Sequence, residues 1–349
     1  MKNYEEKALA TELLDFIDAS PSSFHAVQTI SSLLEKEGYT ELKESEKWNP
    51  EEGKGYFVCR NGSSLIAFRY QKDYTGFSIS AAHSDYPCFK IKDKGELTGE
   101  FVRLNTERYG GMICSTWLDR PLSVAGRVLV ETDRGMEMRL LNIDRDLLLI
   151  PSVAIHMNRN ANDGMKYNPA VDTVPLFGGK ESKGRFLSLV AQELGVEEEK
   201  ILGQDLYVYA RQKGCIWGCN QEYISSRALD DLQCAFSTLK GFLAAKAGKS
   251  LPVCAVFDNE EVRNPAGGGL HIPLRCFEAH LSCGRGLFTS TCFLFPSFLR
   301  QRSCGASQSP GICRSGEPGG PERRRGSEIQ CRSEIHHRRH LRSLCEIPL

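Results

Sequence analysis

The chain has 349 residues, with 44 Lys plus Arg against 44 Asp plus Glu and no formal net charge. That length gives room for a large core and for two domains, while the balance of charge leaves no overall field to recruit nucleic acid or an anionic membrane. No apolar run approaches the ~18 residues that a membrane span needs, and the opening MKNYEEKALATELLDFI is charged and amphipathic, unlike a signal peptide.

Taken in chain order, residues 5–17 and 23–37 read as amphipathic helices, the second entered through Pro21, Ser22 and Ser23, with serine as the cap. Residues 65–70 and 76–81 are rich in β-formers. Between about 95 and 213 short strands and turns dominate, with 127–131 and 136–143 as a hairpin and 206–210 as a further strand. Residues 226–245 carry Leu229, Leu232, Phe236, Leu239 and Phe242 near one helical stripe, and 251–257 form an apolar strand. The pattern is that of a β-rich segment inserted into an α/β domain, without internal repeats. The seven cysteines before residue 263 are scattered, and Cys215 and Cys219 lack a CxxC partner. They read as reduced thiols of a cytoplasmic protein.

After Val262 the composition breaks. Residues 263–349 hold thirteen Arg and no Lys, seven Cys, and no Asp, Val or Tyr. Basic clumps stand at Arg323–Arg325 and around His336, His337, Arg338, Arg339 and His340. A disordered basic tail is one reading, but such tails avoid Cys, Phe and Leu. An out-of-frame translation accounts for both features. Codons chosen for the sixteen residues from Arg263, read after skipping one base, permit G-T-Q-Q-A-A-D-S-T-F-L-Y-D-V-L, an ordinary helix-forming sequence. The same shift on residues 300–310 permits D-N-A-H-A-V-H-P-N-H.

Three clusters of acid and imidazole sit at the ends of these elements. His83-Ser84-Asp85 follows a strand; Asp230-Asp231 opens a helix; Asp258-Asn259-Glu260-Glu261 follows the apolar strand. Each alone has an ordinary explanation: a surface histidine, a helix dipole complement, a solvated turn. Together, in this order, they match the arrangement of two-zinc exopeptidases. There a carboxylate bridges two cations about 3.5–4 Å apart, terminal His and carboxylate ligands fix each ion, and a further Glu takes the proton of the attacking water.

Five strings sharpen this. His83-Ser84-Asp85, Trp117-Leu118-Asp119-Arg120-Pro121-Leu122, the run Ile150 to Arg159 (IPSVAIHMNR), Leu229-Asp230-Asp231-Leu232 and Asp258-Asn259-Glu260-Glu261-Val262 together resemble successive signatures of the aspartyl aminopeptidase family, across residues ~10–262. The resemblance implies a three-layer α/β/α zinc-exopeptidase-like catalytic domain with a mixed sheet, formed by 1–94 and 214–262. It also implies an inserted β-rich dimerisation domain at 95–213, leaving 263–349 as an out-of-frame tail in place of the rest of the catalytic domain. It implies two zinc ions per site, with His83 a terminal ligand, Asp230 the bridging carboxylate and Glu261 a terminal ligand. Glu260 becomes the general base and Asp85 the residue that orients His83. His156, on the inserted domain, is implied to reach a neighbouring subunit's site and stabilise the oxyanion. The family usually carries Asn where Asp231 stands. Implied partners are peptides with acidic N-terminal residues and further copies of the chain, dimers assembling into larger shells, with neither nucleic acid nor membrane. Another metal-binding Asp and a final His of the family are not encoded in the chain as written. None of His271, His280, His336, His337 and His340 is assigned to a metal. The expectation is therefore a metalloaminopeptidase with impaired activity; the alternatives are a non-catalytic oligomerising fragment of such an enzyme and, more remotely, a nucleic-acid binder acting through the arginine-rich tail.

Overall fold

The structure, a computed structural model, describes residues 2–246 and 248–262, with side chains from residue 5 onward; the out-of-frame tail expected at 263–349 lies outside the described residues. From Leu9 on, the described residues belong to one compact unit, and residues 2–8 group apart from it. The chain is mixed α/β. It begins with α1 (Lys2–Asp18) and α2 (Ser23–Lys36), followed by strands β1 (Thr40–Glu41), β2 (Gly55–Arg60), β3 (Ser64–Arg69) and β4 (Gly76–His83). Then come β5 (Cys88–Leu97), β6 (Phe101–Tyr109), β7 (Leu122–Thr132), β8 (Gly135–Asn142) and β9 (Leu176–Gly179). The helix α3 (Arg185–Leu194), strands β10 (Ile201–Ala210), β11 (Cys215–Trp217) and β12 (Tyr223–Ser225), α4 (Leu229–Ala244) and β13 (Ser250–Phe257) complete it.

Two sheets carry the architecture. The first has the order β1-β2-β3-β13-β4, with β1 parallel to β2, β3 antiparallel to both β2 and β13, and β4 parallel to β13. The second, fully antiparallel, has the order β8-β7-β10-β5-β6-β9. It runs from Cys88 to Ala210, and β11 and β12 form a separate hairpin.

Alternation of side chains along each strand divides the first sheet between two cores. Phe57, Leu65, Ala67, Ala82, Cys254 and Val256 face the helices α1, α2 and α4. Tyr56, Ile66, Phe68, Val253, Ala255 and Phe257 face the other way, where Trp48, Tyr70, Tyr74 and Phe77 join them. Among the described residues no helix contributes to that second cluster, so the described part of the expected three-layer domain comprises the sheet and one helical layer.

The helix ends follow local rules. Ser22, with φ −155°, caps α2 as its spacing from the apolar stripe requires, and its hydroxyl lies 2.8 Å from Nδ1 of His25. α3 escapes the periodicity reading of 95–213, although Phe186, Val190 and Ala191 bury one face and Gly195, left-handed at φ 66°, ends it. α4 starts at Leu229, three residues after the expected 226, because Arg227 and Ala228 are used otherwise: Ala228 turns the chain at φ 52° and the Arg227 guanidinium donates to the carbonyls of Ile17 and Ser20. The same guanidinium lies 5.3 Å from the Tyr209 ring centroid, so it joins the end of α1 to the second sheet. Arg127 does the same for α2, pairing with Asp205 while its guanidinium carbon lies 4.6 Å from the Phe24 ring.

His25 is buried in this junction. Burial, aided by the Arg227 charge, pushes its imidazole down to about 4. The unfolded chain therefore binds a proton below pH ~6.5 that the folded chain refuses, and stability falls as pH drops through that window. The expected loss between pH ~6.5 and ~4 is about 3 kcal/mol. Thermal midpoints of the chain and of His25→Gln, followed across that range, check it: the variant is expected to lose less stability on acidification. Parallel curves would remove His25 from the account.

Candidate metal centre

Parallel pairing of β4 with β13 sets the site. In this register Phe257 lies opposite His83, so both strands end at the same edge of the sheet and the segments leaving them, 84–85 and 258–261, emerge side by side. The carboxyl ends of parallel strands are where α/β folds place their ligands. Ser84 clamps the two exits together, its amide donating to the Phe257 carbonyl at 2.7 Å and its hydroxyl to the Ser63 carbonyl at 2.7 Å. The third segment arrives from the start of α4. Asp230 (φ −89°, ψ 106°) and Asp231 (φ −122°, ψ 16°) are non-helical and joined by a cis peptide bond. A regular helix splays adjacent side chains by about 100°; with these non-helical φ and ψ angles both carboxylates lie 3.6 Å from one histidine.

His83 is the centre. Its Nδ1 lies 2.9 Å from the Asp85 carbonyl and 3.3 Å from Asp85 Oδ1. Its Nε2 lies 3.6 Å from Asp230 Oδ1 and 3.6 Å from Asp231 Oδ2. With Nδ1 engaged, Nε2 is the nitrogen available to a cation. The His83 amide donates to Asp231 Oδ2 at 2.9 Å. Two groupings have ligand atoms mutually within 4.8 Å: His83 with Asp230 and Asp231, and His83 with Glu260 and Glu261.

Asp85, only 3 % exposed, holds the parts in place. It accepts from the Tyr109 hydroxyl at 2.8 Å, from the Glu261 amide at 3.1 Å and from the Glu260 amide at 3.4 Å. Burial works against its charge, but His83, the Glu261 amide and Tyr109 outweigh it and keep the carboxyl below the usual carboxylate range. The Tyr109 phenol is pushed far up by burial and by Asp85, which makes it a donor. For His83 burial opposes protonation, yet Asp85 and Asp231 raise it to about 9. Burial, then Glu260, pushes Glu261 up to about 7, and burial raises Asp231 as well. Carboxylates whose charge is disfavoured by burial and by one another lose part of that penalty when a divalent cation joins them.

Of the six residues singled out from the sequence, His83, Asp85, Asp230, Glu260 and Glu261 are brought together here. His156 is exposed in the segment between β8 and β9 and belongs to neither grouping. Two participants escaped the sequence reading. In the sequence Asp231 stands only as a replacement for the family's Asn, yet its side chain is 13 % exposed against 72 % for Asp230. Tyr109 gave no local signal, since it lies on β6 of the other sheet. One imidazole nitrogen surrounded by carboxylates suits zinc, and the residues present fit it.

Comparison with known proteins agrees. The family model described as "Aminopeptidase I zinc metalloprotease (M18)" matches residues 16–271. "Probable M18 family aminopeptidase 2" of Clostridium novyi is 45 % identical over 264 residues, which cover 72 % of this chain and 61 % of the relative. The protein of the same name from Clostridium acetobutylicum is 45 % identical over 273 residues, 75 % of this chain and 63 % of the relative. The chain thus spans about six-tenths of the length of these relatives. Among solved structures, Chaetomium thermophilum mApe1 superposes with a TM-score of 0.72 at 28 % identity, over 81 % of this chain and 71 % of that one. The S. cerevisiae mApe1 dodecamer gives 0.67 at 25 % identity, over 83 % and 68 %. This chain belongs to the aminopeptidase I zinc metalloprotease (M18) family.

Proposed function

We propose that this member of the family is the greater part of a two-zinc aminopeptidase that removes acidic N-terminal residues from peptides, and that the chain as written is impaired. The observation that carries the reading is the convergence of His83 with two pairs of carboxylates at the shared ends of β4 and β13. His83, Asp230 and Glu261 would hold the metal, and Asp231 stands close enough to His83 to share in that task. The chemistry that zinc would supply at these residues is Lewis acidity, towards a scissile carbonyl and towards water. Glu260 takes the proton of the attacking water and returns it to the leaving amine. Asp85 fixes the His83 ring so that Nε2 points inward.

The acidic preference is supported by the cleft beside Asp230. Arg120, Lys213 and Arg227 line it, and Nε of Arg120 is buried without a hydrogen-bond partner among the described residues. A carboxylate side chain would satisfy that donor. Oligomerisation through the inserted segment 95–213 is supported by exposed apolar residues: Phe101, Ile113, Val153, Ile155, Met157 and Val171 are all more than four-tenths exposed. On this reading His156 completes a neighbouring subunit's site, in dimers that build larger shells. Among the described residues the seven cysteines form no disulfide, in keeping with the cytoplasmic reading. Among the described residues no helix is long and apolar enough to cross a membrane.

The impairment follows from the composition break after Val262. The same exposed apolar surface supports a second reading, a non-catalytic oligomerising fragment. Zinc-loaded chain with residues 263 onward returned to the alternative frame is expected to release Asp or Glu from a peptide at least ~10-fold faster than Leu, with Arg120→Ala narrowing that margin. Equal rates would end the acidic preference, and no release of any N-terminal residue would leave only the second reading.

A further inference from the structure

We infer that Tyr109 is a positioning residue of this centre, fastening it to the antiparallel sheet; the inference rests on the metal reading above. Asp85 reaches three of the centre's residues at once, His83 by its ring and Glu260 and Glu261 by their amides. Every one of those donors comes from the first sheet or the turn that leaves it. The Tyr109 hydroxyl is the donor that does not: it stands at the last residue of β6, and at 2.8 Å it makes the shortest hydrogen bond to the Asp85 carboxylate. It takes Oδ2, which leaves Oδ1 to His83.

Packing holds the hydroxyl in place. Tyr109 is 7 % exposed and meets Tyr207 of β10 edge to face, with ring centroids 5.4 Å apart. Tyr207 pairs with Lys90 on β5, which pairs in turn with Glu107 on β6, so three adjacent strands determine where the phenol points. The next residue shows how closely this strand end is fitted to the centre. Gly110 has φ +80°, and a Cβ there would stand 2.8 Å from both Cβ and Oε2 of Glu261. The end of β6 thus reaches the centre twice, through a hydrogen bond to Asp85 and through close backbone approach to Glu261. A carboxylate that loses one of its donors can turn, and a turned Asp85 loosens the Glu260 and Glu261 amides and leaves the His83 ring held by the Asp85 carbonyl alone.

Tyr109→Phe removes the hydroxyl and keeps the ring against Tyr207. The full 349-residue chain, the variant and Tyr209→Phe are titrated with cobalt(II), following affinity and the visible ligand-field bands. Tyr209 is the control, a hydroxyl of the same sheet that donates instead to Asn142. Tyr109→Phe is expected to weaken cobalt binding about 10-fold and to shift the bands, while the metal-free chain keeps a single cooperative thermal transition; Tyr209→Phe is expected to bind and absorb like the parent. If Tyr109→Phe binds and absorbs like the parent, or if Tyr209→Phe changes as much, the positioning role is wrong while the metal reading stands. If the parent itself shows no cobalt bands even in large excess of metal, both fall together.

Discussion

Deleting one base at the codon for Arg263, so that the alternative frame is read, is expected to raise the turnover of an aspartyl anilide at least ~10³-fold over the 349-residue chain. The basis is the ligand inventory. The described residues supply one imidazole and four carboxylates grouped on His83, while the proposal calls for a further Asp and a final His, and residues 263–349 hold no Asp. On the two-zinc proposal, ions held by an incomplete set would be neither tightly bound nor correctly spaced. Metal analysis alongside the assay checks the cause: zinc content is expected to rise towards two per chain when the frame is restored. A 349-residue chain that already binds two zinc ions and turns over as fast as the restored one would show that the written sequence is complete in function.

Glu260→Gln in the restored chain is expected to lower kcat by about 10²–10⁴ while leaving zinc affinity within about twofold. His83→Ala is expected to do the opposite first, releasing the metal. The two residues are neighbours in one grouping, so the separation tests role rather than proximity. Glutamine preserves the size of Glu260 and the backbone amide that donates to Asp85, but it cannot accept the proton of water. Should Glu260→Gln lose zinc as His83→Ala does, Glu260 is a ligand and the base lies elsewhere. Should it retain more than a tenth of the parent kcat, the proton goes by another route.

Much of this centre was legible in the chain because its segments obey local rules. The alternation that makes β4 and β13 strands also says where they stop, and polar groups at a strand end read as site residues even before any partner is known. Ser22 before an apolar helical stripe, and the stripe through Leu232, Phe236 and Leu239, are likewise one-dimensional signals. The same logic missed α3, whose ten residues lie in a stretch read as β-rich throughout.

What the sequence by itself determined was thus the family, the α/β class and the chemistry on offer at three points of the chain. The tertiary structure alone decided which side chains meet. The parallel register of β4 with β13 brings Asp85 within reach of the amides of Glu260 and Glu261, roughly 175 residues away in the chain. The non-helical backbone at Asp230 and Asp231 turns the second carboxylate, as well as the first, towards His83. The antiparallel sheet sets the Tyr109 hydroxyl against Asp85. Residue type and spacing specify an element through short-range sterics and periodicity, but the direction of one side chain at the element's end depends on strand register and on packing between sheets, and neither is written in any single stretch of sequence.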